Sequence, residues 1–190
     1  MGLRRSFKPT NLVINSDFSK GTTGWVPSGS TIQASNNIMS IIGNGSVVSP
    51  GAVKTLATPY VSGKKIFIKC NFRVTNSSSD RLATILFDGV NYYLGPTQTV
   101  ITANTWYALS GIITLMAGGS SVDIMLQHRY IDAATANGKV MEVQEVMAID
   151  LTARFGAGLE PDLAWCDNNI PAWFDGTLGG GSFGGIGGLK

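Results

Sequence analysis

Apolar and polar residues alternate with a period of two along most of this chain. The clearest run covers residues 66–74, in which one parity is apolar and most of the other is polar: Ile66, Ile68, Cys70, Phe72 and Val74 against Lys69, Asn71 and Arg73. Successive side chains of a strand point to opposite faces, so this run predicts a half-buried antiparallel strand. The same alternation recurs in residues 107–115, 122–127 and 141–149.

Weaker strand candidates fill the remainder of the first 150 residues, at 30–34, 38–42, 46–49, 53–58, 82–87, 90–94 and 98–102. Turn-forming dipeptides separate them, among them Asn44-Gly45, Asp88-Gly89 and Asn137-Gly138. Many short strands with frequent turns are typical of an all-β sandwich or barrel. No repeat with a period of 20–50 residues is evident.

The pattern becomes helical after residue 149. Asp150–Gly156 predicts one helical turn, capped by Asp150 and ended by Gly156. A second short helix is expected with Pro161 at its first position and an end near Asn169. The chain therefore divides into an N-terminal arm (1–10), a sandwich (11–150), short helices with an aromatic segment that packs on the sandwich (151–176), and a glycine-rich tail (177–190).

Two titratable residues lie on apolar strand faces. His128 continues the parity of Val122, Ile124 and Leu126, which predicts a hydrogen-bonded structural histidine at an inward or rim position rather than a catalytic base. Glu145 shares its parity with Met141, Val143, Met147 and Ile149. We expect a β-bulge that turns Glu145 outward, or a structural ion pair, in preference to an acid/base role. No catalytic residues are predicted, and we expect a protein that is not an enzyme.

Composition and charge limit the classes of molecule that this chain is expected to bind. Hydrophobic residues make up 44% of the chain and charged residues 14%, with a net charge of +2. Apart from Arg4, Arg5 and Lys8 the basic residues are scattered, which argues against nucleic-acid binding. Cys70 and Cys166 are expected to be buried free thiols rather than a disulfide bridge.

The N-terminal segment predicts no export signal. No apolar run follows its basic residues, and no stretch is apolar enough for a transmembrane helix. We therefore expect a chain that is made in the cytoplasm and has no membrane partner.

Two segments resemble a known family. Asn11-Leu-Val-Ile-Asn-Ser-Asp-Phe, closing with Gly24-Trp25, is similar to the opening of carbohydrate-binding-module-like, galactose-binding-like jelly rolls. The stretch from Val143 to Gly176, with Gly-Ala-Gly-Leu-Glu-Pro at 156–161 and Trp-Phe-Asp-Gly at 173–176, resembles the end of such domains in phage tail and baseplate proteins.

This resemblance implies a jelly-roll β-sandwich with a non-catalytic role in a phage virion, as a capsid decoration, neck or tail component. The partners would be other virion proteins and further copies of the same chain, for example in a trimer. The terminal arms would dock it, through Arg4, Arg5, Lys8 and Phe183. Some relatives hold a structural calcium ion, for which Asp17 and Asp150 occupy matching positions; a turn-closing Asp17 and a helix-capping Asp150 are the alternative.

The alternative function is adhesion to glycans of a host surface. A sugar module needs an exposed aromatic side chain with polar groups beside it. The candidates are Tyr92, Tyr93, Asp88 and Tyr130. Because adjacent strand residues face opposite ways, at most one of the two neighbouring tyrosines lies on a given face. The four tryptophans are expected in the core or at sheet edges.

Overall fold

Antiparallel strands in two layers make up the fold. The computed structural model describes residues 10–76 and 79–170. The predicted arm contacts Arg4, Arg5, Lys8 and Phe183, the aromatic segment and the tail lie outside the described residues. The strands are β1 (Val26–Ser28), β2 (Ser30–Ser35), β3 (Ile38–Gly43), β4 (Gly51–Thr55), β5 (Lys65–Val74), β6 (Arg81–Phe87), β7 (Tyr92–Gln98), β8 (Tyr107–Thr114), β9 (Asp123–Arg129) and β10 (Val140–Asp150), and the helices are α1 (Ala133–Ala136), α2 (Leu151–Phe155) and α3 (Leu163–Asn169).

Each layer is a five-stranded sheet. The first sheet has the order β1-β4-β9-β6-β7 and the second β2-β3-β10-β5-β8. All pairings within the two sheets are antiparallel. The all-β sandwich with short C-terminal helices is thus confirmed. Within the described ranges, no helix is long and apolar enough to cross a membrane.

The strands differ from the predicted ones in a few places. Residues 46–49 form no strand, because the Asn44 side chain accepts the Ser46 N–H at 3.0 Å and closes a turn. The strand expected at 90–94 is present as β7, which begins at Tyr92 because a tight turn occupies residues 88–91, whereas residues 99–102, expected as a further strand, form none. Strand β1 was not predicted, since three residues are too few to display an alternation.

The main core lies between the sheets. The apolar parity predicted for residues 66–74 is confirmed, since all five of its members are fully buried. Val122, Ile124 and Leu126 face the same core from the first sheet, and His128 continues inward behind them. Burial of each large aliphatic side chain contributes roughly 1.5–3 kcal/mol, so this interior accounts for much of the fold's stability.

A β-bulge divides β10 into two halves of opposite parity. The register with β5 shifts between Gln144 and Met147, and Glu145 has φ +56°. The predicted bulge is therefore confirmed, and Glu145 is exposed, accepting a hydrogen bond from Asn71 at 2.7 Å. The single apolar face expected for this strand is wrong: Val146 and Ala148 continue the inward face, whereas Met147 and Ile149 point outward.

The C-terminal helices cover that outward side. Phe67, Met147 and Ile149 form a second apolar cluster with residues of α2 and α3. Asp150 caps α2 by accepting the Ala153 N–H at 2.8 Å, and Gly156 ends this helix, as predicted. The start predicted for α3 is wrong by two residues, because Asp162 caps it and Pro161 precedes the cap.

Glu160 fastens the loop between α2 and α3 to the second sheet. Its carboxylate accepts hydrogen bonds from the Thr152 hydroxyl at 2.7 Å and from the Gly158 N–H at 2.9 Å, and it pairs with Lys65 at 3.3 Å. The Thr152 hydroxyl is the main cause that lowers the pKa of Glu160 to about 2. The Gly-x-Gly-x-Glu phrase of the sequence therefore anchors the helical cover.

Asn11, the first residue of the opening motif, forms hydrogen bonds with backbone groups of β10 beside the bulge. Its side-chain amide donates to the Val146 carbonyl at 3.0 Å and accepts the Ala148 N–H at 2.9 Å. Trp25, which closes the motif, is buried and packs on Phe18 with ring centroids 5.7 Å apart. The motif thus joins the N-terminal segment to the last strand.

Candidate functional site

The outer surface of the first sheet, which we call the open face, carries apolar side chains in contact with solvent. An apolar row crosses all five strands in register: Val26, Val53, Met125, Ile85 and Leu94. Val26 is 61% exposed and Leu94 56% exposed at the two ends of this row. With a strand spacing of about 4.8 Å, the row is roughly 19 Å long. Scattered exposed apolar residues are ordinary, but a contiguous row indicates a binding surface.

Two stacked aromatic rings lie beside the apolar row. Phe87 and Tyr92 are cross-strand partners, and their ring centroids are 4.4 Å apart at an interplanar angle of 26°. Tyr92 is 66% exposed, so Phe87 supports a ring that faces solvent. Asp123, opposite Phe87 on β9, has a buried Oδ1 that accepts no hydrogen bond from the described residues. The stacked Phe87–Tyr92 rings therefore lie next to the Asp123 carboxylate, whose Oδ1 has no hydrogen-bond partner among the described residues.

Asp88 holds the turn that positions this pair. Its carboxylate accepts hydrogen bonds from the Asn91 backbone N–H at 2.7 Å, from the Val90 N–H at 3.0 Å and from the Tyr93 hydroxyl. Burial alone would raise the pKa of Asp88, but these hydrogen bonds, the Asn91 N–H first, lower it to about 2. The charged carboxylate thus fixes the β6–β7 turn immediately before Tyr92.

The structure separates the four residues predicted to bind a ligand. Tyr92 lies on the open face, whereas Tyr93 is buried and on the opposite side of β7, as the alternation rule requires. Asp88 and Tyr130 are fully buried. The Tyr130 hydroxyl lies 2.8 Å from His128 Nδ1, and burial lowers the pKa of His128 to about 3. Of the four, only Tyr92 can contact a surface ligand directly, and its binding role stays a prediction.

The two aspartates predicted to bind calcium have other partners. Asp17 accepts the Ser19 N–H at 3.0 Å and closes a turn. Asp150 caps α2 and pairs with the Lys64 ammonium at 2.7 Å. That ammonium also donates to the Thr58 hydroxyl at 2.7 Å and the Pro59 carbonyl at 2.6 Å. A protein cation therefore already neutralises Asp150, and calcium does not fit these residues.

The described ranges also lack a metal-binding cluster of another kind, since no three His, Cys, Asp or Glu side chains come together in them. The two cysteines are buried and free, as predicted, and burial raises the pKa of both thiols.

Most of the open face was missed by sequence reasoning. Val53, Ile85, Met125 and Leu94 lie on four different strands, and only the pairing register places them in one row. One signal was available: Met125 occupies the otherwise polar parity of β9, beside Asp123 and Gln127. An apolar residue at an outward position of a predicted half-buried strand is the sign that could have identified this surface.

Solved structures share the fold. The CBM22-1 xylan-binding domain of Paenibacillus barcinonensis Xyn10C is 14% identical, with a TM-score of 0.57 over 78% of this chain and 97% of that one. The CBM22-1-CBM22-2 tandem domain of the same enzyme is 14% identical, with a TM-score of 0.60 over 75% and 50%. An arabinose-bound MgGH51 α-L-arabinofuranosidase is 13% identical, with a TM-score of 0.55 over 79% and 27%.

These matches establish the fold as the jelly-roll sandwich of carbohydrate-binding modules. The chain spans half of the tandem domain and about a quarter of the arabinofuranosidase. No protein-family model matches the sequence. No curated protein matches it either.

Proposed function

We propose that this chain is a non-catalytic carbohydrate-binding module that holds a saccharide chain on the open face. The observation that carries the proposal is the stacked Phe87–Tyr92 pair, exposed beside an apolar row on a sheet face. The fold shared with carbohydrate-binding modules supports it, and so does the xylan-binding description of one of these structures.

The chemistry of the open face suits a sugar chain. A pyranose ring has an apolar C–H face, which packs on an aromatic ring, and a rim of hydroxyl groups, which need hydrogen-bond partners. Tyr92 offers the ring. The half-buried Asp123 lies opposite Phe87 and offers a carboxylate, and the side chain of Gln127 offers both a donor and an acceptor next to the apolar row.

Substitution of Tyr92 tests the proposal. We expect wild-type protein to bind at least one member of a panel of soluble polysaccharides in affinity electrophoresis and calorimetry. Tyr92→Ala should weaken that binding by about tenfold or more, since a central aromatic contact typically carries this much. Its thermal midpoint should change little, because the side chain is largely exposed.

Trp106→Ala is the matched control. Trp106 is an aromatic residue outside the open face, stacked on Arg73 of the second sheet at 4.7 Å. This variant should bind the same polysaccharide as tightly as wild type does. Equal affinity of the Tyr92→Ala variant and wild type would refute the proposed site.

A virion setting is the second candidate, and the sequence resemblance of residues 143–176 alone favours it. In that setting the chain would be a homo-oligomeric decoration, neck or tail protein that presents the open face outward to host glycans. Mass spectrometry of density-purified particles tests it, together with loading of a variant that lacks residues 1–9. Absence of the chain from the particles would remove this candidate and leave glycan binding untouched.

A further inference from the structure

Two arginines face each other at one end of the open face. Arg81 of β6 and Arg129 of β9 are direct cross-strand partners, on the same parity as Ile85 and Met125. Neither forms an ion pair with a residue of the described ranges. Like charges directly opposite each other destabilise a sheet, so this pair works against stability where it stands.

The nearby acidic side chains leave this pair without a counter-charge. Asp132, three residues after Arg129, caps α1 by accepting the Thr135 N–H at 2.6 Å. Asp80 joins the pair only through its backbone, whose N–H donates to the Arg129 carbonyl at 2.9 Å. In addition, Arg81 Nε is buried and has no hydrogen-bond partner among the described residues. A buried donor without a partner is costly, so Arg81 adds to the unfavourable energy of this pair.

The arginine pair and the aromatic pair stand at opposite ends of the same two strands. Arg81 and Phe87 are six residues apart on β6, or about 20 Å at 3.3 Å per residue. The half-buried Ile85 and the buried Ala83 lie between them on this side of the sheet, with Met125 and Gln127 opposite. Asp123 places a negative charge at the aromatic end. The surface is therefore polarised, positive at one end and negative at the other.

We propose that the ligand is an acidic saccharide whose oxyanion binds the Arg81–Arg129 pair while a neutral sugar stacks on Tyr92. This inference rests on the proposed function and deepens it. A guanidinium presents two parallel N–H donors to a carboxylate, sulfate or phosphate, and two facing guanidiniums hold one oxyanion between them. Asp123 would repel an acidic group at the aromatic end, so the preferred glycan carries its acidic groups at intervals rather than on every ring.

Matched acidic and neutral polysaccharides test the inference. The pairs are hyaluronan against its carboxyl-reduced form, dextran sulfate against dextran, and phosphomannan against dephosphorylated mannan; they distinguish carboxylate, sulfate and phosphate. Wild-type protein should bind the acidic member of at least one pair tenfold or more tightly at low salt. That preference should decline as salt is added, because exposed charges are screened.

The Arg81→Gln/Arg129→Gln variant should lose this preference and keep its binding to the neutral member. Arg129→Gln alone, at an exposed position, should raise or maintain the thermal midpoint at low salt, because it relieves the like-charge contact. Lys69→Gln/Lys139→Gln, which removes two charges from the second sheet and its flank, is the control and should keep the preference.

The outcomes separate the two proposals. Equal binding of acidic and neutral members by wild type overturns the acidic ligand and leaves the carbohydrate module intact. The same holds if the lysine control loses the preference as fully as the arginine variant does, since the effect is then one of net charge. If the wild-type protein binds no member of the panel, the proposed function itself is overturned.

Discussion

The outer surfaces of both sheets carry apolar side chains, but helices cover these side chains on only one of the two sheets. Phe67, Met147 and Ile149 point outward from the second sheet, yet α2 and α3 cover them and they are at most 1% exposed. Val26 and Leu94 point outward from the first sheet and are more than half exposed. The chain therefore covers one apolar outer surface and leaves the other in contact with solvent, which makes the open face the candidate binding surface.

The part of the second sheet that the helices leave uncovered has polar contacts on its outer surface. Beyond the helices its outward residues include the Arg73–Glu142 ion pair and the Asn71–Glu145 hydrogen bond, beside the half-buried apolar residues Ile38, Ile42 and Val140. The open face differs in that its apolar residues form one row across all five strands. This contrast carries more weight than the exposure of any single residue.

The largest expected effect on the free energy of unfolding comes from replacing one large apolar side chain on each outer surface by alanine. Phe67→Ala should lower the free energy of unfolding by about 3–5 kcal/mol, because it opens a cavity beneath the helices. Leu94→Ala removes a similar apolar side chain from the open face and should change it by less than about 0.5 kcal/mol. Urea denaturation of both variants measures the difference. Equal losses would show that the open face is packed after all.

A smaller loss is expected where the helical cover joins the sheet. Asp150→Asn should lower the free energy of unfolding by about 3 kcal/mol, because it leaves the buried Lys64 ammonium without its counter-ion. Asparagine caps helices as well as aspartate does, so the cap itself is preserved. Asp17→Asn, at a partly exposed turn position, is the control and should be nearly neutral. A chelator should leave the thermal midpoint unchanged; a clear fall would restore a calcium ion to this site.

The smallest expected effect is the pH dependence of stability that His128 gives to the first sheet. His128 lies on the inward side of β9, and burial lowers its pKa from 6.5 to about 3. Between pH 6.5 and about pH 3, His128 is therefore protonated in the unfolded chain and neutral in the folded chain. The free energy of unfolding consequently falls as the pH falls through this range. Between pH 6 and pH 4 the loss should be roughly 2 kcal/mol.

His128→Asn should remove most of that pH dependence, because asparagine does not titrate and still offers a partner for Tyr130. Denaturation midpoints of both proteins across this pH range measure it. An unchanged slope in the variant would assign the dependence to other groups.

Local pattern was enough to predict much of this fold. Alternation identified β5 and β9, the inward position of His128 and the bulge at Glu145, because each depends on neighbours along the chain. It did not predict the burial of Phe67, which has the polar parity of its strand. Helices almost a hundred residues later in the chain cover this side chain, and no local window contains that information.

The candidate site was predicted only in part, for a related reason. Sequence reasoning placed one of the two adjacent tyrosines on a surface, but the choice of Tyr92 depends on which side of β7 faces the core. The apolar row and the arginine pair depend on registers among strands that are far apart in the chain. Composition gave no sign of either, because neither the apolar residues nor the arginines are clustered in sequence.

The bulge in β10 has a consequence for how this chain tolerates insertions and deletions. One added residue at Glu145 lets a single strand serve two apolar cores, the sandwich interior and the cluster beneath the helices. Deletion of that residue would leave a regular strand in which Val146 and Ala148 still face the sandwich interior and Met147 and Ile149 still face the helices. We therefore expect deletion of Glu145 to be tolerated far better than deletion of Met147, which would reverse the faces of Ala148 and Ile149, so that the bulge is the place where this strand can change its length.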